Sequence, residues 1–245
     1  MPRDLHLALH EEDNIFLEAQ PESIRTTAAS IWGMRAGLEL SVSAGYTVIL
    51  RELLEFGAVK PVLELCAEAA ADEIQHAQWC LDLAERIDGQ PRLWPNPTSL
   101  HVPAYEDVAR GPFLATLHLV AMSCLNETIA CERLLDAMRP TKLPSARQTL
   151  KRILSDEIKH ARAGWAHLAS HHVTAEMKQE LGRMVPNLIQ ASLVSLIEEN
   201  ETIPSEQFNE WGLPCVDEAR AQAERAIEQI VLPGFAQLGV EVGQN

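Results

Sequence analysis

The sequence predicts an all-α protein, with a four-helix core over about residues 23–170 and additional C-terminal helices over about 174–232. Three observations carry that expectation. Apolar residues recur at helical spacing in almost every long segment, and no alternating β-branched run bounded by turns interrupts them. Proline and glycine punctuate the chain at helix-length intervals. One heptapeptide also occurs twice, Ala-Asp-Glu-Ile-Gln-His-Ala at 71–77 and Ser-Asp-Glu-Ile-Lys-His-Ala at 155–161, as two related helical hairpins would produce. At 245 residues and 47% hydrophobic content the chain can bury one large core, and a single domain is expected.

The first long helix is expected from Ser23 to about Phe56, where Gly57 and the Val59-Lys60-Pro61 sequence supply a stop and a proline start. The second runs from Pro61 to about Ile87, with an inner stripe of Val62, Leu65, Cys66, Ala69, Glu73, His76, Cys80, Leu83 and Ile87. That stripe is apolar except for one carboxylate and one imidazole. A crossing from Gly89 to Pro112 carries Pro91, Pro95, Pro97 and Pro103 and cannot continue a helix. The third helix is expected from about Phe113 to Met138 and the fourth from Ser145 to about Ser170, its stripe comprising Leu150, Ile153, Glu157, His160, Gly164, His167 and His171. A fifth helix from Thr174, interrupted or kinked at Pro186, and a last one from about Val216 to Val231, ending before Pro233-Gly234, are read as a cover or a subunit contact.

The formal charge of −15 and a pI near 5.0 argue against a surface that attracts nucleic acid or anionic lipid. The segment Met1 to Asn14 lacks the apolar stretch of an export signal, and no bilayer-spanning run is read elsewhere, so a cytoplasmic protein with no membrane partner is expected. Five cysteines without a C-x-x-C pair indicate neither a disulfide framework nor a thiolate zinc site.

A glutamate and a histidine three positions apart project from one helix face, so Glu73 with His76, and Glu157 with His160, can each present a carboxylate and an imidazole to one metal site. A paired metal site also needs carboxylates from the partner helices. In an antiparallel hairpin, facing residues lie about equally far from the turn. Glu127, 30 residues before Glu157, satisfies that condition, whereas Glu132 falls off the stripe of Val120, Ser123, Glu127, Ala130, Cys131 and Leu134. Glu39, 34 residues before Glu73, is the best remaining candidate in the first hairpin, because Glu52 and Glu55 sit too near the turn. Four carboxylates on inward stripes would be very costly to bury without a cation.

In residue type, order and spacing, Glu39, Glu73, His76, Glu127, Glu157 and His160 resemble the ferritin-like di-iron carboxylate family, a helix-bundle arrangement in which two glutamates and two Glu-x-x-His pairs point inward. The resemblance covers roughly Ser23 to Ser170. It implies a ferritin-like four-helix bundle holding two iron ions, with Glu73 and Glu157 bridging, Glu39 and His76 on one ion, and Glu127 and His160 on the other. It also implies that Asp72 and Asp156 accept the ring N–H of the histidine on the opposite motif helix, Asp72 from His160 and Asp156 from His76. Manganese or a mixed iron–manganese pair suits the same ligands.

Other residues near these stripes have plainer readings. His118, His167 and His171 read as packed or capping histidines. Tyr46 and Cys131 stand within two turns of Glu39 and Glu127 and are candidates to line a substrate pocket, with core packing the alternative. Arg35, one turn before Glu39, reads equally as a surface ion pair, as an orienter of Glu39, or as a neutraliser of an anionic substrate.

By the same resemblance, the expected function is an O2-dependent oxidoreductase acting on a small organic molecule, with an electron-donor protein and a homodimer as compatible partners. The alternative is a ferroxidase or iron-binding protein, although a long crossing and about seventy residues after the fourth helix suit a closed substrate pocket better. A helical scaffold with a vestigial site ranks last, since all six ligand positions are intact. Within the family, Cys80 stands where the radical-forming ribonucleotide reductase subunit places a tyrosine. Ile153 stands where p-aminobenzoate N-oxygenase-like enzymes carry a further histidine, and the rubredoxin-like module of rubrerythrin is missing.

Overall fold

Pro21 opens and Gly57 closes the longest helix of the computed structural model, which describes residues 11–98, 102, 105 and 107–243. All secondary structure among the described residues is helical. The short helix α1 spans Glu11–Glu18, the long α2 spans Glu22–Phe56, and α3 follows after a three-residue link as Lys60–Asp88, with Pro61 in its first turn. Beyond the crossing, α4 occupies Pro112–Ala137, α5 Pro144–Leu168 and α6 Ala175–Asn200. A 3-10 turn at Glu206–Trp211, α7 at Val216–Ala226 and α8 at Leu232–Gln237 complete the chain. The expected boundaries for Pro103 and for Met1 to His10 lie outside the described residues.

The four long helices pack in a closed cycle, α2 on α3, α3 on α5, α5 on α4 and α4 back on α2. Two of their apolar clusters occupy opposite ends of the bundle. One contains Trp32, Leu83, Leu150 and Trp211, and the other Tyr46, Leu53, Val62 and Leu119. Between them along α2, α3, α4 and α5 lie the glutamates and histidines of the two heptapeptides and their hairpin partners, so a polar layer interrupts an otherwise apolar interior.

The structure departs from the sequence expectation at several places. The helix α1 has no period long enough to announce it, and its Asp13 is fully buried because it accepts a hydrogen bond from Ser145 N–H at 3.0 Å and one from Arg86 Nε at 3.4 Å. Asp13 thereby satisfies an orphan amide in the first turn of α5, a partner 132 residues away in sequence. Between Val120 and Glu127, α4 takes a π-helical turn, ending at one of the predicted ligands. Such a turn inserts one residue and rotates the helix beyond it, and π-helical turns concentrate at functional sites.

Pro186 does not interrupt α6, which runs continuously through it. A proline leaves the carbonyl four residues earlier without its helical donor. Here that carbonyl, Gly182 O, accepts from Gly243 N at 3.1 Å, so the end of the chain supplies the missing bond. Gly182 admits this approach because a Cβ there would lie 2.1 Å from the Glu241 carbonyl oxygen. Pro233-Gly234 likewise does not stop the last helix: a π-helical turn over Ile227–Val231 carries α7 into α8.

The C-terminal segments act as a cover. Trp32 Nε1 donates to Trp211 O at 3.1 Å, and Lys142 N donates to Glu210 O at 2.8 Å, fixing the 3-10 turn over the α4–α5 end. By length and composition α4 is apolar enough to cross a membrane, contrary to the expectation of no such run, but 67% of its most apolar window is buried inside the protein. Packing against α5 accounts for that apolarity.

Candidate metal centre

On α3 the spacing of three places Glu73 and His76 on one buried face, and α5 does the same with Glu157 and His160. The two imidazoles stand with ring centroids 5.8 Å apart. Glu73 sends Oε2 to within 3.1 Å of His76 Nδ1 and Oε1 to within 3.0 Å of His160 Nδ1. Glu157 mirrors it, with Oε1 3.6 Å from His76 Nδ1 and Oε2 2.9 Å from His160 Nδ1. Each motif glutamate therefore spans both histidines.

The two remaining glutamates divide between the halves. Ligand atoms of Glu39, Glu73, His76 and Glu157 all lie within 4.8 Å of one another, and so do those of Glu73, Glu127, Glu157 and His160. All six positions expected from the sequence are thus brought together, with Glu39 from α2 on the His76 side and Glu127 from α4 on the His160 side. His76, His160, Glu73, Glu127 and Glu157 are buried and Glu39 is half-buried.

A second layer orients the imidazoles. His76 Nε2 faces Asp156 Oδ2 at 3.4 Å and His160 Nε2 faces Asp72 Oδ2 at 3.5 Å, each across to the other motif helix. An aspartate beside Nε2 holds a proton there, while Nδ1 faces the glutamates and hydrogen-bonds to Glu73 Oε2 in His76 and to Glu157 Oε2 in His160. Lys159, not anticipated from the sequence, ties the two aspartates together, with Nζ 2.5 Å from Asp156 Oδ1 and 3.6 Å from Asp72 Oδ2. The only local signal is that it replaces Gln75 of the other heptapeptide.

Electrostatically the layer is short of positive charge. Burial, and then the neighbouring carboxylates, push Glu39 and Glu127 well above the ordinary range, and Glu157 also rises. Burial acts the same way on Glu73, but His76 and His160 outweigh it and bring that carboxyl to about 2. Burial opposes charging of both imidazoles, yet the surrounding carboxylates hold them protonated well above the usual histidine range. Protons thus stand in for a missing cationic charge.

The donor set fits divalent cations. Glu73 Oε1 is buried and accepts no hydrogen bond, because the nearby His160 Nδ1 pairs with Glu157 Oε2, so an inward-facing carboxylate oxygen is left without a partner. Two imidazole nitrogens and four carboxylates suit first-row transition ions such as iron or manganese.

A cavity of about 220 Å³ ends on this cluster, with Glu39, Glu73, Glu127 and Glu157 on its wall. The histidines lie behind them. Arg35 and Arg133 also line the cavity, together with apolar side chains of α2 and α4 and a rim from α6. Tyr46 and Cys131, candidate pocket residues from the sequence, are not on this wall. Ala130, Arg133 and Leu134 line the cavity in place of Cys131. Tyr46 lies beneath the cluster, where its hydroxyl donates to Glu127 Oε1 at 3.0 Å and so accepts from Ser123 Oγ at 3.1 Å.

The other histidines have ordinary partners or surroundings. His118 Nδ1 pairs with the buried Glu52 at 2.7 Å, and His167 Nε2 meets Thr116 Oγ1 at 3.0 Å. His171 is exposed, because α5 ends at Leu168 and its inner stripe ends with it. Arg35 forms no ion pair among the described residues; its guanidinium stacks on Trp32, 4.9 Å from the ring centroid.

Comparison of the chain with protein-family models, curated proteins and solved structures returned no match.

Proposed function

We propose that this protein is a non-haem di-iron oxidoreductase built on a ferritin-like four-helix bundle, using O2 to oxidise a small organic molecule. The observation that carries the reading is the cavity that ends on four converging carboxylates, with one imidazole behind each half of the cluster. Glu73 and Glu157, which each span both histidines, would contribute to holding both ions. Glu39 with His76 and Glu127 with His160 would complete the two halves. When bound, a pair of ferrous ions supplies the electrons that activate dioxygen.

The protein's own residues do the rest. Asp72 and Asp156 hold the Nε2 protons, so that the proton given up to a metal would be the one on Nδ1, and Tyr46 fixes the Glu127 carboxylate by donating to it. The C-terminal cover excludes bulk water from a site that water would otherwise compete for. Manganese or a mixed pair is compatible with the same donors. Repeated turnover would draw electrons from a separate donor protein.

The test is metal analysis of the purified chain followed by oxygen-consumption measurements on ferrous-loaded protein with and without candidate organic substrates. About two ions per chain and substrate-dependent oxygen consumption are expected. A fully occupied mononuclear site contradicts the reading. Iron uptake far beyond the six-ligand cluster, with no substrate dependence, assigns the protein to iron storage instead.

A further inference from the structure

Two half-buried arginines lie in the interior wall of this protein without an ion pair among the described residues. Arg35 on α2 and Arg133 on α4 both face the cavity that ends at the glutamate cluster, and neither forms an ion pair among the described residues. Arg133 gives one Nη2 hydrogen bond to Asn200 Oδ1 at 3.2 Å, while its buried Nε has no acceptor. Burial, followed by the like charge of Arg35, lowers the Arg133 guanidinium to about 10. It remains charged at neutral pH, so two cations share one wall at an electrostatic cost.

We infer that Arg35 and Arg133 receive the carboxylate of an organic monoanion whose apolar body fills the rest of the cavity. This names a substrate class and rests on the di-iron reading of the glutamate cluster. Two divalent ions would balance the four ligand carboxylates, leaving Arg35 and Arg133 against Glu199 at the exposed rim, a surplus of one positive charge. A guanidinium offers paired N–H donors that match a carboxylate edge. The remaining wall includes Ile31, Leu38, Val42, Leu134 and Leu196, which suits hydrocarbon. As for size, a cavity of about 150 Å³ takes benzene, so the present 220 Å³ accommodates a carboxylate of about ten non-hydrogen atoms.

The experiment is calorimetric titration of the full-length, metal-loaded chain with octanoate, octanamide, octylamine and octyl phosphate, with metal content measured on the same sample. Octanoate is expected to bind about thirty-fold more tightly than octanamide, and Arg35→Gln or Arg133→Gln to remove roughly that margin. Equal affinity for octanoate and octanamide overturns the inference, as does tighter binding of octyl phosphate or octylamine. Octanoate bound equally by wild type and both variants also overturns it, because the carboxylate would then sit on the metals. The ligand comparison needs no variant and decides even where a variant fails to fold. A chain that holds no metal sinks the di-iron reading separately, through the metal analysis.

Discussion

Oε1 of Glu73 lies 3.0 Å from Nδ1 of His160 and yet accepts no hydrogen bond, although both side chains are buried. The two atoms converge on a point between them. Across the layer, Glu157 also spans both histidines and takes the His160 Nδ1 hydrogen bond that Glu73 Oε1 lacks, and the space they surround is where positive charge is missing.

Removing one of these shared ligands affects both halves. Glu73→Ala is expected to abolish most metal binding, as measured by elemental analysis after dialysis against the metal. Chelation should lower the melting temperature of the wild type. A ligand present at about one hundred times its dissociation constant stabilises the fold by about 2.7 kcal/mol. A variant that retains two ions would refute the assignment of Glu73.

Metal uptake should release protons. His76 and His160 are held protonated, and Glu39, Glu127 and Glu157 are pushed toward neutrality in the metal-free state. An incoming cation displaces those protons, so affinity falls as pH falls. Titration in buffers of different ionisation enthalpy reads the number released, and a heat independent of buffer would count against this account.

The crossed aspartates permit a test of each half. Asp156→Asn is expected to weaken the ion beside His76, and Asp72→Asn the ion beside His160, each by about 10–100-fold. The prediction fails if competition with a chromophoric chelator finds the same affinities in both variants as in the wild type.

Gly164 sets how closely α5 approaches the π-helical turn of α4. A Cβ there would lie 2.6 Å from Cys124 Sγ and 2.9 Å from Ser123 Cβ. Gly164→Ala must therefore push α4 away or distort the turn, at a cost of about 1–3 kcal/mol. Urea denaturation measures it, and an unchanged midpoint would show that the contact yields freely.

His167 gives the protein an acid sensitivity independent of the metal ligands. Thr116 donates its hydroxyl proton to Pro112 O, so it accepts from His167 Nε2–H, and the buried Nδ1 has no partner. Burial, with a smaller contribution from His172, lowers the imidazole to about 4. The unfolded chain then binds the proton first, so stability is full above about pH 6.5 and declines as pH falls toward 4, by roughly 2–3 kcal/mol. His167→Gln keeps a donor for Thr116 and should flatten that part of the stability profile. An identical slope in the variant would exclude His167 as its source.

The all-α class and the places of the long helices were legible in the sequence, because periodicity, prolines and glycines act over a few neighbouring residues. The two heptapeptides likewise set Glu73 beside His76 and Glu157 beside His160, since helical geometry alone fixes a spacing of three. Hairpin symmetry extended that reading to Glu39 and Glu127. What only the tertiary structure decided involves partners far apart in the chain: Asp13 meeting the start of α5, Gly243 supplying the bond that Pro186 removes, and the packing that puts Arg133 rather than Cys131 on the cavity wall. No local pattern encodes these. Each is settled by whether a buried polar group finds its counterpart once the helices have packed.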